Sequence, residues 1–365
     1  VVYLVALYLA IGPFFAIPRT ATTAFSVGIE PMLPAGSHAI WLFGFTLAYF
    51  AFAYLIALNP SKILDSIGRY LTPIFALLIV VLVVLGAAKY GSTAPQGATG
   101  EYAASAFGAG FLQGYNTLDA LASVAFSVVA VTTLNQLGFK NKKEYISTIW
   151  VVGILVALGF SVLYIGLAFL GNHFPLNLAN LPKGANVGAS VLSSATQAIF
   201  GPMAQIFLAI MVTVTCFTTT AGLIVSTGEF FHNTFPKVSY KVYATIFTLV
   251  GFAIANLGLN AIIQYSIPVL EILYPITITI VMIVMVNRFL PLSKPGMQLT
   301  IAVVTLIAFV SILGRQFKLT AILNLVNALP FAQASLPWLL PALVGILLSL
   351  LLPNKQKTEA FEFEA

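Results

Sequence analysis

The sequence predicts an all-α bundle of membrane-spanning helices, and three observations carry that expectation. Apolar residues fill 60% of the 365 positions and charged residues only 7%, where soluble domains carry roughly 25% charged residues. So few charges cannot clothe a core of this size in water. The apolar residues gather into about ten runs near the length of roughly 20 residues that crosses a bilayer. The basic residues fall between the runs in short loops, so the net charge of +6 reads as a topology signal and not as a nucleic-acid surface.

In chain order the spans are 1–28, 37–58, 69–88, 103–134, 145–171, 201–228, 240–256, 262–288, 298–314 and 335–352. They make a single transmembrane domain over residues 1–352, followed by a polar tail at 353–365 that is expected to be disordered. The opening run has no basic segment before it and no small-residue cleavage site, which makes it a span and not a signal peptide. Its Gly12, Pro13 and Pro18 predict a kink, because proline lacks the N–H that a helix needs. Val1 in place of Met leads to the expectation that the chain starts inside a longer protein.

Asn59 to Pro73, NPSKILDSIGRYLTP, is amphipathic and is expected to lie on the membrane surface before the third span. Asn186 to Phe200 has apolar residues at helical spacing and predicts a helix outside the membrane that caps the bundle or acts as a lid. Sorting alternate loops places Lys62, Arg69, Lys140, Lys142, Lys143, Lys237, Lys241, Arg288, Lys294, Lys355 and Lys357 on one side, and Lys89, Lys183, Arg315 and Lys318 on the other. The richer side is cytoplasmic by the positive-inside rule. The first span then runs outward and the C-terminus lies on the cytoplasmic side of a cell membrane.

Catalysis finds little support. His38, His173 and His232 have no partner at triad or metal-ligand spacing, and the motifs GxSxG, HExxH and GxxxxGK do not occur. Cys216 is the only cysteine, so neither a disulfide framework nor a CxxC motif is possible. The expectation is no enzyme and no cofactor.

What remains is polar chemistry at membrane depth, which is costly unless it meets protein, water or a ligand. Within GFLQGYNTLDALAS, Gly110 to Ser123, the residues Gly114, Tyr115, Asn116, Thr117 and Asp119 weaken the helix halfway along the fourth span. A broken helix there would offer free N–H groups to a carboxylate and free carbonyls to a cation; the competing reading is a continuous helix in which Asp119 pairs with a base. The sixth span clusters Thr213, Thr215, Thr218, Thr219 and Thr220. Their oxygens suit a dehydrated monovalent cation, or the hydroxyls bond back to their own helix. Arg19 and Glu271 would be expensive alone; Arg19 paired with Asp119 or Glu271 could act as a gate or a static brace. Glu229 reads as a helix-end residue.

Ile11 to Ile29, IGPFFAIPRTATTAFSVGI, resembles the signature helix of the bacterial branched-chain amino acid:cation symporter family. GFLQGYNTLDALAS resembles that family's broken-helix segment, and the order of the spans fits along the whole chain. The resemblance implies a leucine-transporter-type fold, with two inverted repeats of about five helices and about two helices more. It implies that this chain, with about ten helices of about twelve, starts at the family's third. It further implies that Gly114, Tyr115, Asn116, Thr117 and Asp119 contact the substrate, and that Thr218, Thr219 and the Thr215 carbonyl hold sodium.

The expected function is sodium-driven import of leucine, isoleucine or valine by alternating access, in contact with the lipid bilayer. Another neutral amino acid, proton coupling through Asp119, or an incomplete chain that does nothing alone are the alternatives.

Overall fold

The structure, a computed structural model, describes residues 1–34, 38–58, 62–98, 100–139, 141–177, 181, 184–353 and 355–356, with backbone alone at 62–72, 128–129, 132–133, 142 and 355–356. The described elements are α1 Val2–Leu9, α2 Ala16–Ala24, α3 His38–Leu58, α4 Lys62–Tyr90, α5 Glu101–Ala104, α6 Ala106–Tyr115, α7 Asp119–Gln136, α8 Lys142–His173, α9 Val187–Phe200 and α10 Ala204–Thr234. They continue as α11 Tyr240–Ala255, α12 Leu259–Phe289, α13 Lys294–Gln316, α14 Thr320–Asn327 and α15 Leu339–Leu351. A single antiparallel pair, β1 Leu292–Ser293 with β2 Lys355–Gln356, completes them.

Seven helical segments among the described residues are long and apolar enough to cross a membrane, and three shorter apolar helices join them. The chain is an all-α polytopic membrane protein. The sequence reads as one domain; the chain divides into two compact units, residues 1–97 with 146–264 and residues 98–145 with 265–365.

The first unit is organised around α10. The first span reaches it in pieces, because Pro13 gives no N–H and Gly12 leaves helical geometry at φ −92°, ψ −120°. The chain widens there, with the Phe15 amide reaching back to the Ala10 carbonyl, and widens again over Phe25–Ile29. A widened turn leaves carbonyls to be satisfied from elsewhere. Gln205 of α10, 3% exposed, donates to the carbonyls of both Val27 and Gly28 at 2.9 Å and accepts from Ser193 of α9 at 2.7 Å. The expected loop helix is therefore α9, and it is built into the unit. Asn186 caps it by accepting from the Ala189 amide at 3.0 Å, and Ala195 packs with Leu82, Leu170 and Phe174.

Two glycines allow the first span to lie directly on α10. A Cβ on Gly12 would stand 2.9 Å from the Thr227 methyl, and one on Gly28 would stand 2.9 Å from the Ala209 Cα. By contrast α8 is the most apolar of the spans and has no buried residue in its most apolar window, as expected of a helix facing lipid.

Two expectations change. The amphipathic stretch 59–73 does not end before the third span, since α4 runs unbroken from Lys62 through Pro73 to Tyr90; its first three residues and the side chains to 72 lie outside the described residues. The tail is ordered at Lys355–Gln356, where it pairs with Leu292–Ser293. Asn287 accepts from the Leu292 amide at 2.7 Å and Ser293 donates to the Pro353 carbonyl at 2.6 Å, which fixes that corner of the second unit. Residues 357–365 lie outside the described residues.

Ala209 is backbone at the closest point, so it cannot move aside for a side chain at position 28. Gly28→Val is expected to destabilise the purified protein by about 1–3 kcal/mol, seen as a lower temperature for loss of the monodisperse peak in size-exclusion chromatography. An unchanged temperature would mean that the two helices do not touch there.

Candidate functional site

The fourth span is interrupted where the sequence anticipates it. Helix α6 stops at Tyr115, and the amides of Asn116, Thr117 and Leu118 each close a tight turn on the carbonyl three residues earlier. Leu118 then takes the left-handed conformation, φ 66°, ψ 2°, which costs a non-glycine residue roughly 1–2 kcal/mol. Its side chain is 6% exposed, and burying a leucine contributes about 1.5–3 kcal/mol, enough to hold the strained turn.

Within the break, Thr117 donates to the Gly114 carbonyl at 2.8 Å and accepts from the Asp119 amide at 3.4 Å. The Asn116 side chain donates to Gln113 at 3.1 Å. Asp119 is the first residue of α7, where the positive end of the helix favours its charge. Gly114 has open space where a Cβ would stand. Tyr115 is buried, stacked on Tyr274 of α12 with ring centroids 4.3 Å apart.

The threonines lie on one continuous helix, α10. Thr218 and Thr219 both donate to the Thr215 carbonyl, at 2.9 and 3.1 Å, which gathers three oxygens on one turn. The Thr215 hydroxyl is buried without a hydrogen-bond partner among the described residues. Thr219 is exposed, and Thr215 and Thr218 are half-buried. Such uncharged, hard oxygens fit a sodium ion better than a transition metal. A turn further on, Thr220 is fully buried and shares hydrogen bonds with Thr20 of α2 and, at 2.8 Å, with Tyr49 of α3. Sequence reasoning missed Thr20 and Tyr49, because nothing local marks a hydroxyl whose partner is 200 residues away.

Glu271 has a basic partner that the sequence did not point to. Glu271 of α12 is held by Arg315 of α13, two guanidinium nitrogens against two carboxylate oxygens, one of them at 3.2 Å. Arg19 belongs to α2 of the other unit. Loop sorting had counted Arg315 as a topology signal; it sits in the last turn of its helix, close enough in space to meet a carboxylate 44 residues away.

This pair lines a cavity of about 240 Å³ in the second unit, with Leu112 and Tyr115 of α6, Pro275 of α12, Ile307 and Ser311 of α13, and Trp338 ahead of α15. The Tyr115 hydroxyl lies beside the Trp338 indole N–H, which is placed to donate to it, so the Tyr115 proton keeps its capacity for another partner. Asn116 and Gln113, at the end of α6, border the same ion pair from the side of the break.

The sequence as a whole decides the family. The family described as branched-chain amino acid transport protein matches residues 1–356. The chain belongs to it. A Staphylococcus haemolyticus protein named as a branched-chain amino acid carrier is 38% identical over 355 residues, covering 95% of this chain and 79% of that protein. Carriers of the same name from Staphylococcus saprophyticus and Staphylococcus aureus are 35% and 36% identical, covering all of this chain and 83% and 82% of theirs. No solved structure matches the chain. This member of the branched-chain amino acid transport protein family is a transport protein and not an enzyme, as the sequence predicts.

Glu271 has only 13% of its side-chain surface exposed, against 50% for Arg315. Removing the base alone strands a carboxylate inside the unit, whereas removing both charges does not. Arg315→Gln is therefore expected to lower the melting temperature more than Glu271→Gln/Arg315→Gln does. Equal shifts in a thermal unfolding assay would mean that the pair is already solvated.

Proposed function

We propose that this chain carries leucine, isoleucine or valine across a bacterial cell membrane together with sodium, by alternating access. The observation that supports the reading best is the break at Asn116–Leu118. Irregular backbone is tolerated at membrane depth where it is buried in protein or lines a cavity, and a free helix end there can meet the charged groups of an amino acid.

In this reading Gly114, Tyr115, Asn116, Thr117 and Asp119 contact the substrate. The N–H groups at the start of α7 attract the carboxylate, and Asp119 with the end of α6 attracts the ammonium. The Thr215 carbonyl with the Thr218 and Thr219 hydroxyls takes sodium. Each ligand favours the other's site, and joint binding shifts the protein from outward-open to inward-open states. The eleven-to-four division of basic residues between the two sets of loops supports a cytoplasmic C-terminus. A pocket that tells these side chains apart by methyl groups gains only about 1–3 kcal/mol per group, so selectivity within the three is loose.

Asp119, an ionisable group beside the break, favours proton coupling as the second reading. Uptake of radiolabelled leucine into proteoliposomes at fixed pH separates the two. With sodium replaced by choline, uptake is expected to stop, and uptake that survives overturns sodium coupling. Thr218→Val and Thr219→Val are expected to raise the sodium concentration for half-maximal uptake by about tenfold or more, the effect of losing about 1.4 kcal/mol of binding. An unchanged requirement removes those threonines from the site.

A further inference from the structure

The second unit contains a cavity whose chemistry is complementary to a whole amino acid, and of the residues assigned above to substrate it is lined by Tyr115 alone. One wall carries a fork of donors, the Arg315 guanidinium, and the facing wall carries a carboxylate, Glu271. The rest is largely apolar, with Leu112, Ile307, Val326 and the Trp338 ring. At about 240 Å³ it has room for about eight water molecules at roughly 30 Å³ each, the size class of one leucine-sized molecule.

We propose that this cavity is a binding site for a zwitterionic α-amino acid with an apolar side chain, in which Arg315 takes the ligand's carboxylate and Glu271 takes its ammonium. Three features carry this beyond a structural ion pair. The first is charge balance. In the free protein the two side chains satisfy each other; a zwitterion entering between them offers each a new partner of the sign it had, so one ion pair becomes two and no charge is left stranded. A lone carboxylate or a lone amine can replace only one half and leaves the other without its partner.

The second is access. Half of the Arg315 side chain is exposed while Glu271 is mostly buried, so the carboxylate end of a ligand meets arginine first and the ammonium is drawn in behind it. Arginine's planar fork suits a carboxylate as it suits Glu271, and exchanging one for the other keeps a bidentate geometry. The third is unmet polarity. The Tyr115 hydroxyl and Trp338 N–H are buried in the cavity wall with only each other as partner, which leaves the Tyr115 proton uncommitted, and buried polar groups are rarely left so.

The site uses none of the sodium-binding threonines. It rests on the proposed function only for the choice of leucine as probe. Its neighbourhood to Asn116 and Gln113 places it next to the break, where an amino acid can wait before or after the transport site.

Trp338 reports on the cavity directly. The protein has three tryptophans, and Trp41→Phe/Trp150→Phe leaves Trp338 alone, the other two being exposed. Titrating this full chain in detergent with L-leucine, in choline buffer without sodium, is expected to change Trp338 emission saturably. Isoamylamine, which is leucine without its carboxylate, and isocaproate, which is leucine without its ammonium, are expected to require at least about tenfold higher concentrations. Adding Glu271→Gln/Arg315→Gln is expected to weaken the leucine response at least tenfold.

No saturable response, a response to either analogue at the concentrations that suffice for leucine, or an unchanged affinity in the double variant each overturns the proposal. The analogue comparison needs no substitution at the ion pair, so a double variant that fails to fold does not block the test. Sodium-driven uptake with a silent Trp338 would remove this site and leave the transport reading intact. A responsive Trp338 without sodium-driven uptake would do the reverse.

Discussion

Water is absent from the middle of a bilayer, so each backbone N–H and carbonyl there must find its partner inside the protein. Most of this chain meets the constraint by running as long continuous helix. Among the described residues three places are informative because it does not, and each is repaired by a different means. At Gly12–Phe15 the chain widens and bonds one residue further back. At Phe25–Ile29 a side chain from another helix, Gln205, supplies the donors for two carbonyls. At Asn116–Leu118 three tight turns and the Thr117 hydroxyl close the gap locally. The first two repairs are buried and rigid, and serve packing. The third leaves Gly114 open to space and Asn116 only half-buried, which is the condition for a ligand to reach the backbone.

The same solvent argument explains how the apolar surface is spent. In water a helix shows one apolar stripe; here exposed leucines and valines cover α8, because lipid is as apolar as they are and does not drive helices together. Association depends on close approach. Gly12 and Gly28 supply it against α10, and Gly296 and Gly345 supply it between α13 and α15, where an added Cβ would fall within 3 Å of Ser349 or Thr300. Where helices touch this closely, a serine or threonine on the facing helix can also bond to backbone, as Ser349 does to the Ser293 carbonyl.

Much of the fold was legible because the membrane forces sequence into a simple code of apolar runs and charged loops. The break was legible for a related reason: a cluster of glycine, asparagine, threonine and aspartate is so unfavourable in a lipid-depth helix that it must mark something. What stayed hidden was non-local. Leucine is among the last residues expected at φ 66°, and only burial, a property of the folded unit, explains Leu118. Arg315 was misread because its meaning in a loop count is topological, while its meaning in space is electrostatic. Thr20 and Tyr49 gave no signal because their hydrogen bonds to Thr220 join three helices distant in sequence. Tyr115 was found for its place in the break; its stacking on Tyr274 could not be read from its own segment.

The cation site proposed on α10 uses the same atoms as a bland feature. Thr218 and Thr219 donate their protons to the Thr215 carbonyl, the ordinary behaviour of threonine in a membrane helix. A cation is held by oxygen lone pairs, and each hydroxyl keeps two of these after its proton is committed. The Thr215 carbonyl differs: two hydroxyls and its own helical amide already share its two lone pairs, so an ion that reaches it displaces one of these donors. At the hydroxyls back-bonding therefore does not compete with ion binding; it fixes the rotamers, aims the free lone pairs and removes an entropy cost that mobile hydroxyls would have to meet on binding. A helix that satisfies its own hydroxyls in this way can lie quiet without an ion and take one up by moving a single hydroxyl.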